Sequence, residues 1–346
     1  MKNLLDFTRQ EISVWLEEQG IQPFRAGQIS KWIHIRQVNV FEEMTDLSKE
    51  LRKKLEEHFY IPRLTVEKKM VSADTTEKFL FRLDDGLHIE SVLIPGKAHF
   101  TLCVSSQVGC AQNCRFCLTA RGGFVRNLTV AEMIAQIRDI RFYLMQKSID
   151  PLKLSNIVFM GMGEPLANYQ NLIKALETIT DSDYGFKFSP RHVTVSTSGL
   201  VPKITQLGLD TSVNLAVSLN ATTDEMRSEL MPINDKYPLK QLLETCRTFT
   251  MKPRNKITFE YILMKGVNDS KEDALRLAKL LSPIKSKINL IPFNEYEESN
   301  FKQPSQKTIS DFLQVLLDRN FTAIIRKSKG DDILAACGQL KAKLIS

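Results

Sequence analysis

Apolar positions along the chain follow three successive spacings, and each change of spacing predicts a change of structure. Up to about residue 60 they recur every three or four positions, in "QEISVWLEEQG" and "LSKELRKKLEEHF", which predicts helices. Between these segments, "FRAGQISKWIHIRQ" interleaves aromatic and basic residues. Residues 1–60 are therefore predicted to form a small helical accessory domain. Its mixed segment is compatible with RNA contact, and equally with an aromatic core and a solvated basic face.

Period-two alternation follows in residues 61–99. The segments "LTVEKKMVS", "EKFLFRL" and "LHIESVLIP" predict three strands. Asp85 and Gly86 separate the last two, and this dipeptide is a strong signal for a hairpin turn. Glu90 lies in the third predicted strand. This region is predicted to be a β-hairpin extension that links the helical domain to the rest of the chain.

From residue 100 onward, short apolar strands alternate with longer amphipathic helices. The predicted strands are "HFTLCVSS", "NIVFMGMGEP", "HVTVSTSG", "SVNLAVSLN", "KITFEYILM" and "KINLIPFN". Strand–helix alternation of this kind predicts a parallel sheet. About six units are too few for a closed eight-stranded barrel. The predicted fold is therefore α/β, with residues 100–346 forming an open, partial βα barrel.

Unusual residues stand where these predicted strands end. Barrel enzymes build their active sites from the loops at that edge of the sheet. The residues in question are Cys110, Cys114 and Cys117 after the first strand, Gly163 and Glu164 after the second, Ser196 after the third, Ser218, Leu219 and Asn220 after the fourth, and Asn294 after the sixth. The pattern predicts one active site at this edge.

Composition narrows the picture only modestly. The 346 residues are 43% hydrophobic and 25% charged, and no apolar run reaches the roughly 18–20 residues that span a bilayer. The N-terminal sequence carries early acidic residues and lacks the apolar stretch of a signal peptide, so a cytoplasmic protein is expected. The net charge of +7 is compatible with a polyanionic partner such as RNA, although many soluble proteins are as basic.

Three of the six cysteines fall within eight residues, at the spacing C-x3-C-x2-C. A structural zinc site requires four ligands, usually in two close pairs, and no second pair is present. A redox pair would use Cys114 and Cys117 and leave Cys110 without a role. A [4Fe–4S] cluster held by three thiolates fits better, because it leaves one iron open for another ligand.

This motif, with Phe116 before its last cysteine and placed after the first strand of a partial barrel, resembles the signature of radical S-adenosylmethionine (SAM) enzymes. In that superfamily the amino and carboxylate groups of SAM chelate the open iron. An electron from the cluster then cleaves SAM to a 5′-deoxyadenosyl radical. The resemblance implies that "MGMGEP" binds SAM. The implied cofactor-binding residues are Gly163, Glu164, Ser196, Ser218, Leu219, Asn220 and Asn294.

Further motifs narrow the resemblance. The segments "TLCVSSQVGC", "MGMGEPL", "STSGLVP", "MPIN", "INLIPFN" and "RKSKGDDILAACGQL" are similar to those of the RlmN-type adenosine-C2 RNA methyltransferases. That family implies two substrates, an adenosine in the peptidyl-transferase region of 23S rRNA and the adenosine 3′ of the anticodon in some tRNAs. It also implies a flavodoxin-type electron donor, and a monomer is expected.

Radical chemistry suits this reaction, because C2 of adenine has no lone pair with which to attack the SAM methyl group. The resemblance implies that Cys337 takes a methyl group from one SAM and that a second SAM supplies the radical that activates it. The activated carbon adds to C2 and crosslinks RNA to protein. By the same resemblance, Glu90 then removes the C2 proton. Cys103 attacks the Cys337 sulfur, which releases the methylated RNA and leaves a disulfide.

One position departs from the family pattern. Where Ser-Leu-His is common, this chain has Ser218, Leu219 and Asn220, and asparagine offers hydrogen bonds but no positive charge. Cys246 has no place in the chemistry and is interpreted as a packing residue. A further set of basic residues flanks the expected mouth of the site, where such residues are usually only solvated: Arg121, Arg126, Arg326, Lys327 and Lys329.

Two alternatives stay open at this point. The sister C8-adenosine rRNA methyltransferases share the cluster and both cysteines, although Pro165 and the "RKSKGDDILAACGQL" tail look more like the C2 enzymes. From another class, a non-catalytic zinc-binding RNA-binding protein would use the cysteines structurally. That alternative predicts one zinc ion and no iron.

Overall fold

The computed structural model describes residues 1–297 and 299–342, and a ten-stranded sheet forms its centre. The strands of the described chain, numbered in chain order, are β1 Lys2–Asn3, β2 Phe59–Tyr60, β3 Thr65–Val71, β4 Glu77–Arg82, β5 His88–Pro95, β6 Phe100–Cys103, β7 Gln107–Gly109, β8 Phe124–Asn127, β9 Leu154–Phe159, β10 Val193–Thr197, β11 Asn214–Ser218, β12 Ile257–Leu263, β13 Ser286–Pro292 and β14 Ala323–Ile325. Across the large sheet their order is β14-β13-β12-β11-β10-β9-β6-β5-β4-β3.

The part of the sheet from β6 to β14 is parallel and runs in chain order, as successive βα units require. Strands β5, β4 and β3 extend its β6 edge in antiparallel fashion. The partial βα barrel predicted from the sequence is confirmed, and so are the three strands of the hairpin extension. The sequence pattern missed β14, because a three-residue strand is too short to show a period.

Helices cover the outer face of the sheet or form the N-terminal region. They are α1 Arg9–Glu18, α2 Arg25–His34, α3 Lys49–His58, α4 Leu118–Arg121, α5 Val130–Gln146, α6 Tyr169–Thr180, α7 Val201–Asp210, α8 Asp224–Leu230, α9 Ile233–Lys236, α10 Leu239–Arg247, α11 Lys271–Leu281 and α12 Gln306–Asp318. The start of α5 shows why they form where they do: the Thr129 hydroxyl and the Glu132 carboxylate cap each other's backbone N–H groups. None of the helices in the described ranges has the length and apolar character needed to cross a bilayer.

The N-terminal region contains α1, α2 and α3, and the parallel pair β1–β2 joins its two ends. Its aromatic residues divide between core and surface. The Trp32 side chain is buried, and its indole N–H donates to Asp46 at 2.6 Å. Phe24 is 61% exposed, with the Arg25 guanidinium 4.8 Å from the centre of its ring. The mixed segment therefore supplies both a core residue and an exposed aromatic–basic pair.

A buried arginine on α5 joins this region to the barrel. Arg138 is fully buried, and its guanidinium donates to the carbonyl oxygens of Pro62 at 2.8 Å and Val38 at 2.7 Å. Next to it, Arg63 forms an ion pair with Asp139 at 2.8 Å. These contacts satisfy buried carbonyl groups that would otherwise lie unpaired at the junction.

We expect the substitution Arg138→Met to lower the free energy of unfolding by about 3 kcal/mol, because it leaves the two carbonyl groups buried without a donor. Urea denaturation followed by circular dichroism measures the change. Lys147→Met, at the exposed end of the same helix, removes the same charge and serves as the control. Equal urea midpoints for both variants would show that the junction contacts add no net stability.

Candidate active site

A cavity of about 900 Å³, including its open mouth, lies at the C-terminal ends of the parallel strands. It collects residues that are more than 200 positions apart in the chain. Of the predicted site residues, Cys110, Cys114, Cys117, Gly163, Glu164, Ser196, Ser218 and Cys337 all line it. The fold therefore brings these eight predicted residues together around one cavity at this edge of the sheet.

The cysteine loop is held in shape by a short hairpin that the sequence pattern did not predict. Strands β7 and β8 pair on either side of the loop, and the Cys110 N–H donates to the Gly123 carbonyl at 2.9 Å. Gly109 has a φ of +74°, and a Cβ there would lie 1.9 Å from the Gly123 oxygen. Only glycine fits this approach, which brings Cys110 to the cavity wall.

The three thiols lie around the cavity, and all are free. Burial raises the pKa of Cys110 to about 12 and raises that of Cys114 well above its usual value. Within residues 1–297 and 299–342, no three His, Cys, Asp or Glu side chains are arranged around a point that a single metal ion would occupy. Three thiols bordering a shared space suit a multi-iron cluster, whose positive irons would offset the cost of buried thiolates.

The loop after β9 lies against the cysteine loop. The Glu164 N–H donates to the Gln107 side-chain oxygen at 2.8 Å. Gly163 has a φ of +98°, and a Cβ there would meet the Gln107 Cβ at 2.5 Å. The Glu164 carboxylate accepts hydrogen bonds from the Ser198 N–H at 2.7 Å and from the Ser198 hydroxyl at 2.8 Å. Burial nevertheless raises the pKa of Glu164, and a cationic partner in the cavity would oppose that rise.

Leu219 and Asn220 lie outside the cavity lining and are fully buried. The Asn220 side-chain oxygen accepts from the Ile262 N–H at 2.9 Å, and its backbone has a φ of +57°. Asparagine tolerates this left-handed conformation better than most residues. The position where the family commonly has histidine therefore braces the end of β11 against β12, and its side-chain N–H donates to the Met231 sulfur at 3.3 Å.

A second cavity, of about 690 Å³, adjoins the first. Cys103, predicted from the resemblance, lines this second cavity, and Cys337 lines both. The Cys337 segment reaches this place by packing on α4: the Leu118 N–H donates to the Gly338 carbonyl at 2.7 Å, and the Thr119 hydroxyl donates to the Leu340 carbonyl at 2.7 Å. The two thiols predicted to act together, 234 positions apart by number, thus border one space.

Asn294 lines the second cavity and not the first. Its side-chain N–H donates to the Cys337 carbonyl at 3.2 Å, and its oxygen accepts from the Ser328 hydroxyl. The structure therefore places this predicted cofactor residue where it holds the backbone of Cys337.

Glu90 is buried on β5, beside the second cavity but outside its lining. One carboxylate oxygen pairs with the Lys78 ammonium at 3.0 Å. The other accepts from the Lys341 N–H at 2.9 Å. Glu90 shares its strand face with Val92, which pairs with Cys103 across β5 and β6. The predicted base thus faces the side of the sheet that carries the two thiols.

Two charged residues that line the first cavity form a pair that the sequence analysis did not predict. Glu260 is buried on β12, and its Oε2 has no hydrogen-bond partner within the described residues. The Arg326 guanidinium lies 3.9 Å from Glu260 Oε1 and lines both cavities with Cys337. The sequence signal was a charged residue in an otherwise apolar strand, "KITFEYILM", which marks a buried carboxylate that needs a cation.

The electrostatic effects at the two thiols are opposed. Cys337 is exposed at the cavity surface, and desolvation by the surrounding cavity walls raises its pKa, while burial raises the pKa of Cys103 to about 12. The Arg326 guanidinium lowers both, because its positive charge favours each thiolate. Arg326 is therefore the group in the described site that most directly promotes nucleophilic sulfur at Cys337.

We expect Arg326→Met to slow alkylation of Cys337 by iodoacetamide several-fold at neutral pH, because loss of the cation favours the neutral thiol. The rate should recover as pH rises, since hydroxide then produces the thiolate that the cation no longer stabilises. Mass spectrometry of the Cys337 peptide across a pH series measures both effects. Lys327→Met, at a neighbouring cavity residue, is the control. A pH profile shared by Arg326→Met and the unmodified protein would contradict the role assigned to the guanidinium.

The other basic residues near the mouth differ in their contacts. Arg126 forms ion pairs with Asp85 and Glu132, both at 2.7 Å. Lys329 lies 3.5 Å from Asp74 and, with Lys327, lines the second cavity. Lys327 and Lys329 therefore lie at the cavity that Cys103 and Cys337 share, whereas Arg126 does not line it.

Comparison with known families divides the chain as follows. Residues 2–61 match the model described as the ribosomal RNA large subunit methyltransferase N-terminal domain. Residues 104–278 match the radical SAM superfamily. The second match contains the cysteine loop and strands β7 to β12.

Two bacterial proteins named dual-specificity RNA methyltransferase RlmN are similar to nearly the whole chain. The one from Desulfosudis oleivorans is 55% identical over 99% of this chain and 91% of its own length. The one from Geobacter sulfurreducens is 54% identical over 96% of this chain and 90% of its own length. A crystal structure of a radical SAM methyltransferase from Sphaerobacter thermophilus superposes with a TM-score of 0.91, at 40% identity, covering 99% of this chain and all of that one.

Proposed function

The chain belongs to the RlmN family of radical SAM RNA methyltransferases, and we propose that it methylates C2 of an adenosine in the peptidyl-transferase region of 23S rRNA and of the adenosine 3′ of the anticodon in some tRNAs. One observation carries the proposal furthest. Cys337 borders both the cavity lined by the three cluster cysteines and the cavity lined by Cys103. A thiol in that place can receive a methyl group on one side and be attacked by a second thiol on the other.

Each cofactor would be held by groups already placed around the first cavity. Cys110, Cys114 and Cys117 would ligate a [4Fe–4S] cluster, and the buried Glu164 carboxylate would bind the SAM amino group. Ser196 and Ser218 lie on the same wall. When bound, these cofactors supply a methyl group and a carbon-centred radical, and two SAM molecules are consumed in each turnover.

The protein's own thiols carry the methyl group to RNA. Cys337, as a thiolate favoured by Arg326, would accept the methyl group at sulfur: an S–C bond forms, the methyl–sulfonium bond of the donor breaks, and the donor leaves as a neutral thioether. Joining of the activated carbon to C2 of the adenine leaves one unpaired electron on the ring, which the bound cluster would take back. Glu90 accepts the C2 proton, and a closed-shell thioether between Cys337 and C2 remains. The Cys103 thiolate then attacks the Cys337 sulfur: an S–S bond forms, the S–C bond breaks, and the carbon takes a proton to become the new methyl group. Cellular thiols must reduce the resulting disulfide before the next turnover.

Residues 1–60 are proposed as an accessory domain that contacts RNA. The exposed Phe24 ring with Arg25 above it can stack on an unpaired base and meet its phosphate. Residues 61–99 act as the extension that carries Glu90, and residues 100–346 as the catalytic barrel. The cluster requires an electron from outside the chain, for which a flavodoxin-type donor is suitable. The proposed enzyme acts in the cytoplasm as a monomer.

The decisive experiment is anaerobic reconstitution with iron and sulfide, followed by a methylation assay on an rRNA fragment and on tRNA. We expect a brown protein with about four irons per chain. Mass spectrometry of the product nucleoside should place the methyl group on C2. A methyl group on C8 would replace the proposal with the sister activity. A colourless protein with one zinc ion and no methylation would favour the non-catalytic alternative.

A further inference from the structure

The C-terminal segment that carries Cys337, residues 330–342, is attached at one end to the turn between β3 and β4. The Ser72 hydroxyl donates to Asp332 Oδ1 at 2.5 Å, and the Ala73 N–H donates to Asp332 Oδ2 at 3.0 Å. The Gly330 N–H donates in turn to Asp74 Oδ2 at 3.3 Å. The Asp332 carboxylate therefore binds the backbone of the turn, and the Asp74 carboxylate binds the backbone of the C-terminal segment. The two segments are more than 250 positions apart in the chain.

Lys78, on β4 beside this turn, makes the second attachment. Its ammonium is buried and donates to the Leu334 carbonyl at 3.0 Å while it pairs with Glu90 Oε1 at 3.0 Å. The remaining oxygen of Glu90 accepts the Lys341 N–H at 2.9 Å. In this arrangement Glu90 has both carboxylate oxygens engaged, one of them by the segment itself.

The backbone between these attachments is tightly folded. Gly330 has a φ of +68°, and a Cβ there would lie 2.8 Å from the Ala335 Cβ. Leu334 also adopts a left-handed conformation, with a φ of +52°, which a branched side chain rarely does. Such a conformation persists only where the surroundings impose it. The contacts from Ser72, Asp74 and Lys78, which we call the clasp, supply that constraint at the N-terminal side of Cys337.

We propose that the clasp positions Cys337 to receive the methyl group, and that the segment must leave the clasp before Glu90 can act as a base. The inference rests on the proposed function, because it assigns positions to the thiol and the carboxylate of that mechanism. While the segment is docked, Cys337 borders the cluster cavity and Glu90 is covered by Lys78 and the Lys341 N–H. Release of the segment frees the Glu90 oxygen that accepts the Lys341 N–H, while Lys78 stays paired with the other oxygen. The two steps therefore need two arrangements of residues 330–342.

The position of the clasp supports a role in placing Cys337 and not in the chemistry itself. Ser72 and Asp74 lie outside both cavity linings, so they act on the reaction through the segment and are positioning residues. Asp332 lies at the surface, on the short helical turn that leads to Cys337. Its removal can loosen the segment with little effect on the core. This makes the clasp separable from the folding of the barrel.

The test uses the reconstituted holoenzyme with the variant Asp332→Ala and two measurements. The first is hydrogen–deuterium exchange of peptides covering residues 330–342. The second is the rate at which Cys337 gains a methyl group from SAM in the absence of RNA, followed by mass spectrometry. We expect exchange to become about tenfold faster and methyl gain about tenfold slower, with RNA binding affinity unchanged within about twofold. Ser72→Ala, which removes one of the two bonds, should give an intermediate effect.

Asp84→Ala is the matched control. Asp84 is an exposed carboxylate at the opposite end of β4, about 20 Å from the clasp at the rise of a β-strand. It should behave like the unmodified enzyme in both measurements. Unchanged exchange in Asp332→Ala would overturn the clasp, and faster exchange with unchanged methyl gain would overturn its positioning role. If Cys337 of the unmodified enzyme gained no methyl group, the proposed function would fail, while the exchange data would still decide whether the clasp holds the segment.

Discussion

Cys337→Ala is expected to abolish RNA methylation, by a factor on the order of 10³ or more, while leaving the iron content and the reductive cleavage of SAM intact. Within the described residues, Cys337 is the thiol that borders both cavities. Alanine offers no electron pair to accept a methyl group. The cluster ligands lie on a different loop, so their chemistry does not need the lost sulfur.

Three readouts separate this expectation from a folding defect. Iron analysis and 5′-deoxyadenosine release report the cluster cavity, and methyl incorporation into tRNA reports the complete reaction. Cys246→Ala is the control, because Cys246 is a buried cysteine on α10 that lines neither cavity. It should keep most of the methylation activity. Full methylation by Cys337→Ala would eliminate the two-cysteine scheme.

The difference between these two cysteines shows what the sequence could reveal. The spacing of Cys110, Cys114 and Cys117 predicted a cluster because local spacing limits which metals three thiols can share. Their position after the first predicted strand predicted the edge of the sheet at which the site lies. Cys337 had no comparable local signal. Its assignment came from resemblance, and only the fold places it at both cavities.

The sequence could not predict contacts between residues that are far apart in the chain. Arg326 and Glu260 lie 66 positions apart by number, and their ion pair depends on how β12 and the chain after β14 meet in the barrel. Lys78 gave no signal as a partner of Glu90, because a lysine in an amphipathic strand normally faces solvent. At Asn220 a motif position suggested ligand contact, and the left-handed backbone there supplies a separate reason for an asparagine that the sequence did not show.

Cys103→Ala should convert the enzyme into a form that remains covalently attached to its RNA. The proposed mechanism releases RNA when the Cys103 thiolate attacks the Cys337 sulfur, and alanine cannot carry out this attack. We expect a denaturing gel to show up to one RNA per protein chain, with free methylated RNA reduced by a factor on the order of 100. Cys103→Ser, which preserves side-chain size and polarity, should behave in the same way. Free methylated RNA from either variant at the normal rate would assign the release step to another group.

The same step should respond to pH in the unmodified enzyme. Burial is the main cause of the raised pKa of Cys103, and it persists in the adduct, where the Cys337 sulfur is an uncharged thioether and no longer adds to the rise. The thiol is therefore mainly protonated near neutrality. Its reactive thiolate fraction therefore increases about tenfold for each pH unit in that range. Decay of the RNA–protein adduct after a single turnover should accelerate with pH, with the increase lost in Cys103→Ala. A pH-independent decay would mean that proton loss from Cys103 does not limit release.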